Sequence, residues 1–449
     1  MKAVKLFSVA MLCMLINAFG ELTPASTNRF KDGLKLYLTT DSTKYLKSTI
    51  CLQTWMRFDN NNPGTTVDGY AEKKSYDLGI RRFRMQLFGP VARKVFFYSQ
   101  FGINNFNYLS VRKQGAFFHD LLGEYEVHPK YLSLGAGLTG WSGFARYSSP
   151  AVASIMGGDA PLFQQATNDV TDQFLRKLSV YAKGKISSLD YRIAISKPML
   201  IQNASNFSAT DTVLKKTATF SPEPVKPQSQ AYLMWQFLDK ESNQTAYNTG
   251  TYLGKKKVFN IGAGIIYQPK TTRYLDAQNH KQYSAMTLWA VDVFYDAPIN
   301  KEKGNAVSVY GGYFNMNYGP NYYRNQAVMN VANGVVNGSI NGAGNALPLY
   351  GTGSVVYLNS GYLFKKDLLK GHGTIMPYAS AMYANYKAFK DPMLMWECGM
   401  NWFINGTHNS KLTLNYQSRP VFVKNSVGEL VEQKTSRKGM CYLQYQIFI

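Results

Sequence analysis

The sequence predicts an all-β protein, a transmembrane antiparallel β-barrel of about sixteen strands with long external loops. Three observations predict it. About sixteen segments alternate apolar and polar residues with period two, one N-terminal apolar run precedes them, and nothing downstream of that run offers a spanning helix. In Lys411-Leu-Thr-Leu-Asn-Tyr-Gln417, Leu412, Leu414 and Tyr416 share one face and Lys411, Thr413, Asn415 and Gln417 the other. An apolar exterior around a polar interior is how a closed sheet satisfies both lipid and water.

Taken in order, residues 1–20 read as a secretory signal peptide. Lys2 and Lys5 precede an apolar core from Leu6 to Ile16, and small residues follow at Ala18 and Gly20. That core is shorter than the roughly 20 residues a spanning helix needs. Residues 21–47 form an N-terminal periplasmic segment and 48–449 the barrel. The strands are expected at 48–58, 74–88, 93–104, 115–128, 130–139, 172–184, 187–197 and 228–239, then at 256–268, 284–296, 304–317, 352–365, 372–386, 393–404, 409–418 and 438–449. Gly89-Pro90 and His128-Pro129 mark short periplasmic turns. The connections 140–171, 198–227 and 318–351 are long and external, and Asn- and Gly-rich 330–345 reads as an exposed loop. Trp289, Tyr295, Trp396 and Trp402 fit headgroup-level belts. The last strand, Cys441-Tyr-Leu-Gln-Tyr-Gln-Ile-Phe-Ile449, sets Leu443, Tyr445, Ile447 and Ile449 against Gln444 and Gln446.

Composition supports the same class. Aromatics at 14% and charged residues at 17% suit a barrel with aromatic girdles better than an average soluble domain with about 25% charge. Losing the leader lowers the formal charge from +22 to +20, because it carries Lys2 and Lys5. Such a balance implies anionic partners: small anions and outer-membrane lipids. Nucleic acid is a poor partner, since export is predicted and no helix-turn-helix, zinc-finger or stacking pattern occurs. Cys51, Cys398 and Cys441 read as fillers without a disulfide, Cys51 and Cys441 facing opposite sides of the wall. No metal-ligand spacing and no cofactor motif is present; Asn168-Asp169 with Asp172 reads as a solvated loop.

At Arg81-Arg-Phe-Arg-Met-Gln-Leu-Phe-Gly89, followed by Val95-Phe-Phe-Tyr-Ser-Gln-Phe-Gly102, the chain resembles the phosphate-selective porin O/P family. That family carries an Arg-Arg-x-Arg run on its second strand and an aromatic third strand. Phe118-His-Asp-Leu-Leu-Gly-Glu-Tyr-Glu126, the turn at His128-Pro129-Lys130 and Tyr131-Leu-Ser-Leu-Gly-Ala-Gly-Leu-Thr139 extend the likeness, which spans roughly 33–449. The resemblance implies an outer-membrane channel of a Gram-negative bacterium, often a homotrimer, with an inward-folded third external loop and a basic constriction. The chain departs from the family at Gly140-Trp-Ser-Gly-Phe144, where a basic-Pro-Phe step is usual, and at Tyr98 and Gln100, where acids are common.

Alternation places Arg82, Arg84 and Gln86 together toward water, with Arg81 on the opposite face at the rim. Lys177 and Lys183 flank Ser179 and Tyr181, Arg192 alternates with Tyr191 and Ile193, and Arg57 shares a face with Gln53. Such charges select ions only across a narrow passage, because salt screens them beyond about 8 Å. The 140–171 connection is therefore expected to fold inward, its small-apolar centre forming a short helix that brings Arg146 near the axis. The candidate pore-lining and anion-binding residues are Arg57, Arg82, Arg84, Arg146, Lys177, Lys183 and Arg192, guanidinium being suited to oxyanions.

An enzyme is not expected. The five histidines are scattered, and neither Gly-x-Ser-x-Gly nor His-Glu-x-x-His occurs. Gly135-Ala-Gly-Leu-Thr-Gly140 is read as small residues easing strand packing, not as a nucleotide loop. The expected function is passive diffusion of small, preferentially anionic solutes, phosphate-like oxyanions among them. The alternative is a receptor or adhesin barrel without significant conductance.

Overall fold

A computed structural model describes residues 34–141, 143–167, 176–199, 214–221, 225–336 and 339–449. The expected signal peptide lies outside the described residues. Among those described, the main sheet has 18 strands. Leu34–Tyr37 and Thr219–Phe220 are short extensions paired beside the wall, and the remaining sixteen form it. They are β1 (Tyr45–Asn60), β2 (Lys74–Ala92), β3 (Val95–Phe106), β4 (Phe117–His128), β5 (Leu132–Thr139), β6 (Lys177–Ile186), β7 (Leu189–Lys197) and β8 (Gln228–Gln236). The second half comprises β9 (Val258–Leu275), β10 (Lys281–Asn300), β11 (Asn305–Asn317), β12 (Gly353–Leu363), β13 (Thr374–Tyr386), β14 (Met393–Phe403), β15 (Ser410–Arg419) and β16 (Lys438–Phe448).

Every expected segment corresponds to one of these strands. Each pairs antiparallel with the next, and β1 pairs with both β2 and β16, so the sheet closes and leaves no open edge. The burial pattern is inverted relative to a soluble protein. On β15, Leu414 and Tyr416 are 48% and 43% exposed, whereas Lys411, Thr413 and Asn415 are 0%, 0% and 1% exposed. Apolar side chains face outward and polar ones inward, as lipid demands. Cys51 is buried and Cys398 exposed, and all three cysteines are free.

Strict alternation fails at one informative place. Gln53 pairs with Arg82 but Thr54 pairs with Ile80, so Arg81 is the extra residue of a β-bulge in β2. Arg81 does not face the rim as alternation predicted. The bulge turns it inward, where it is as buried as Arg82 and Arg84. The glycine reading of β5 holds. A Cβ on Gly135 would lie 2.2 Å from the Tyr181 ring, and Gly137 has φ 137° with Leu121 O 2.3 Å from its would-be Cβ.

The wall is uneven in height. β5, β7 and β8 have 8, 9 and 9 residues, whereas β9 and β10 have 18 and 20. The outer loops also differ from expectation at 330–345. Val331, Asn341 and Asn345 are buried, Gly334–Val335 pairs with Thr65–Val67, and Asn62 donates to the Asn341 and Ala346 carbonyls at 3.1 and 2.6 Å. Many backbone polar groups in this polar stretch have protein partners, so its described residues are largely packed rather than exposed, with Asn333, Val335 and Val336 left at the surface.

Candidate functional site: two segments inside the barrel

The lumen is built from two unlike arcs. From β9 to β13 its inner face is largely apolar: Leu288 and Phe294 on β10, Phe314 and Met316 on β11, Val355 on β12 and Met382 on β13 are fully buried, with Asn260 and Gln268 on β9 and Asp292 and Asp296 on β10 among the buried polar exceptions. From β14 through β16 and round to β8 it is polar and carries the cations. The 143–167 connection does fold inward, as expected, and straps the two arcs together. At the apolar arc Phe163 packs edge-on against Phe314 with centroids 4.9 Å apart, and Tyr147 meets Tyr310 at 4.5 Å. Toward the polar arc the wall donates to strap carbonyls: Gln446 to Ala153 at 2.9 Å, Lys411 to Ile155 at 2.9 Å and Asn401 to Met156 at 2.7 Å. The expected short helix at 151–156 is absent; that run is irregular, and its carbonyls are consumed by the wall rather than by helical bonds. Short 3-10 turns form instead at Arg146–Ser148 and Leu162–Gln164.

A second segment enters from the opposite rim, and sequence reasoning missed it. The connection between β8 and β9, residues 237–257, leaves the wall at the short-turn end, where Leu189 pairs with Trp235. It then runs into the lumen. Asn248 N donates to Ser149 O at 2.9 Å and Asn248 O accepts from Ala151 N at 2.8 Å, so the two inward segments are backbone-bonded. The available signal was length: a polar stretch between the strands ending at 239 and starting at 256, on the side where other turns are short.

All seven candidate site residues lie inside the barrel, nearly fully buried, and are engaged by protein partners. Arg57 pairs with Asp77 across the strand register at 2.6 Å. Arg82 binds Asp159 of the strap and, among the described residues, no other carboxylate, while Arg81 grips the same carboxylate at 2.8 Å. Asp159 is the acid sequence reasoning missed. Burial pushes its carboxyl up, but Arg81 and Arg82 outweigh that and hold it below its ordinary value. Arg146 forms a two-point pair with Glu241 at 2.6 and 2.8 Å, tying strap to second segment instead of standing free near the axis. Glu241 is likewise held low, Arg146 overcoming the cost of burial. Lys183 contacts Glu124 at 2.9 Å and the Asn243 and Gln244 carbonyls. Arg192 contacts Asp190 at 3.2 Å and the Ala246 carbonyl at 3.1 Å. Both stack over Trp141 at 4.7 and 5.0 Å, a cation–π arrangement. Lys177 donates to Thr167 of the strap at 2.7 Å.

Arg84 differs. It binds Asn104 and the Ile103 carbonyl at 2.8 Å, and among the described residues no carboxylate pairs with it. Glu397 accepts from Gln417 at 2.6 Å. Arg84, Arg176 and Lys256 line a cavity of about 380 Å³ beside the two inward segments, together with Glu241, Tyr247 and Tyr252; Arg176 is bonded to Tyr247 and Lys256 lies over the Tyr252 ring. Asn168, Asp169 and Asp172 lie outside the described residues. Among those described no group of His, Cys, Asp and Glu is placed to hold a metal, and no helix is long and apolar enough to cross a membrane.

No protein-family model and no curated protein matches the sequence. Solved structures do match in shape. Salmonella typhi OmpF, determined with daunomycin, aligns over 92% of this chain and 100% of its own with TM-score 0.50 at 8% identity. Vibrio cholerae OmpT aligns over 92% and 100% with TM-score 0.44 at 9% identity, and a mutant of the Rh. blastica porin over 90% and 100% with TM-score 0.45 at 10% identity. The OmpF likeness is one of fold, and it agrees with the sixteen closed strands. The chain has the fold of the bacterial outer-membrane porins.

Proposed function

We propose that this chain is an outer-membrane porin of a Gram-negative bacterium, exported by a signal peptide removed near Gly20, through which small and preferentially anionic solutes diffuse without a chemical step. The observation that carries this reading is the cavity beside the two inward segments, walled by Arg84, Arg176 and Lys256. Two segments narrowing a sixteen-stranded barrel bring these cations close enough to a solute to act before salt screens them. Phosphate-like oxyanions match guanidinium geometry, and the Arg81-Arg82-x-Arg84 run supports the narrower likeness to phosphate-selective porins. Of the other candidate cations, Arg82, Arg146, Lys177, Lys183 and Arg192 shape this constriction by holding the inward segments in place, and Arg57 ties the wall to the Val328 carbonyl of an outer loop.

The low side of the wall supports a homo-oligomer. An eight-residue strand tilted by about 40° rises only about 20 Å, less than the roughly 25 Å apolar band of such barrels. Covering β5 to β8 with a second and third copy removes the mismatch.

A receptor or adhesin barrel without significant conductance is the second reading, favoured by the ordered outer surface where Asn341 bonds Phe422 at both N and O. Planar-bilayer recording separates the two. The porin reading expects discrete conductance steps and an anion-selective reversal potential in a salt gradient; purified, folded barrel that inserts without conducting supports the receptor reading instead.

A further inference from the structure

We infer that the short-turn rim between β10 and β13 is a binding surface for anionic phospholipid headgroups; this rests on the membrane reading above. Two turns meet there. Residues 301–304 join β10 to β11 and residues 364–373 join β12 to β13, and Lys366 N donates to Lys303 O at 2.7 Å. Gly304 lets them approach, because a Cβ there would lie 3.0 Å from the Lys366 Cβ. Lys301, Lys303, Lys365, Lys366 and Lys370 all project from this joint surface and are exposed. None of their ammonium groups has a hydrogen-bond or ion-pair partner among the described residues. Two acids accompany them, Glu302 and Asp367, and Asp367 is occupied by its own turn, accepting from Gly371 N at 2.7 Å.

The wall directly above fixes the level of this surface in the bilayer. Ile299, Tyr362 and Phe364 face outward and are exposed, and the Tyr362 and Phe364 rings pack edge-on at 5.1 Å. Their polar ends point to the turns: Asn305 donates to Tyr362 OH at 2.8 Å, and Trp402 Nε1 donates to His372 O at 2.6 Å. Amphipathic rings in this posture mark the boundary between hydrocarbon and headgroups. The five lysines therefore lie where lipid phosphates lie, and their excess over acids favours lipids with net negative charge over zwitterionic ones.

The experiment compares full-length wild type with a variant carrying K301Q, K303Q, K365Q, K366Q and K370Q, and with the matching five-fold Lys→Arg variant. Each is folded into phosphatidylcholine vesicles with and without phosphatidylglycerol, and lipids retained on the extracted barrel are counted by native mass spectrometry. Wild type and the Arg variant should retain phosphatidylglycerol in preference to phosphatidylcholine, and the Gln variant should lose that preference roughly tenfold. Equal retention by all three, with normal insertion, overturns the lipid surface and leaves the membrane reading intact. Failure of wild type to insert in either vesicle overturns both.

Discussion

The two arcs of the lumen hold the same strap by opposite means. From β9 to β13 the strap docks mainly through Phe144, Tyr147 and Phe163 on Phe314 and Tyr310, as in a soluble core, with one backbone bond from Arg146 N to Asp292 at 2.7 Å. From β14 round to β8 it docks through charge and hydrogen bonds, Asp159 on Arg81 and Arg82 and carbonyls on Lys411, Asn401 and Gln446, while Arg146 ties it to Glu241 of the second inward segment. The apolar arc supplies stability that is insensitive to ions. The polar arc supplies a side whose charges are mostly engaged in positioning, with Arg84, Arg176 and Lys256 bordering the cavity, Arg176 itself bonded to Tyr247 and 3.7 Å from Asp120. A barrel of this width needs both, because a strap held by rings alone would leave the interior arginines without partners, and breaking buried pairs is costly.

The largest effect should come from the apolar arc. Phe314→Ala removes the ring that Phe144 and Phe163 pack against, and is expected to cost about 3–5 kcal/mol of barrel stability. Urea unfolding in detergent or vesicles checks the magnitude. Reversal potential in a salt gradient should stay unchanged, since no charge moves; a large selectivity change would mean that the two arcs are not separable.

The outer faces should not distinguish the arcs at all. Leu414→Lys on β15 and Val356→Lys on β12 both place an ammonium on an exposed apolar position. Each is expected to cost about 2–4 kcal/mol if it sits near the bilayer midplane. Asn415→Lys on the inner face of β15 is the contrast. Equal costs for Leu414→Lys and Asn415→Lys would break the assignment of faces.

The wall was legible in the sequence because its signal is local. Period-two alternation needs only neighbouring residues, so Leu414 against Asn415 can be read directly, and β1 to β16 follow. The arcs were harder. Over much of β10 both faces are apolar, Met286, Leu288 and Phe294 inward against Trp289, Val291 and Val293 outward, and only Asp292 and Asp296 mark the inner side, so most of the run does not say which side is lipid. The site was least legible because its partners are remote in sequence: Asp159 meets Arg81 and Arg82, and Glu241 meets Arg146. The bulge at Arg81 had no sequence mark either, so a single inserted residue changed the facing of one of the three arginines that motif and alternation had drawn attention to.

Acid should loosen the polar end of the strap before the apolar end. Asp159 and Glu241 are both held below their ordinary values of 3.8 and 4.5. A depressed folded value means that these pairs contribute fully above the ordinary value and lose their contribution as pH falls through the folded one. Single-channel recordings should therefore become noisier and larger in conductance below about pH 4, while heat-resistant mobility on gels persists because the rings still hold. Asp159→Asn should show the loosened behaviour already at neutral pH. Simultaneous loss of fold and strap in acid would mean that one arc cannot be released without the other.

The smallest effect, and the sharpest, concerns which arginine a passing anion meets. Arg82 shares the Asp159 carboxylate with Arg81, whereas Arg84 has only neutral acceptors among the described residues and borders the cavity. Two charges 4 Å apart in bulk water interact by about 1 kcal/mol, so removing one unpaired wall charge should lower anion preference about two- to fivefold. Arg84→Gln is expected to shift the reversal potential by that amount with conductance nearly unchanged. Arg82→Gln should move selectivity less and the strap more, because it takes one of the two arginines from Asp159, and the recording should show added noise rather than a shifted reversal potential. If Arg82→Gln shifts selectivity and Arg84→Gln does not, the solute path runs on the Asp159 side of the strap, through the region of Trp55 and Tyr442, and the cavity beside Arg84 is a blind pocket.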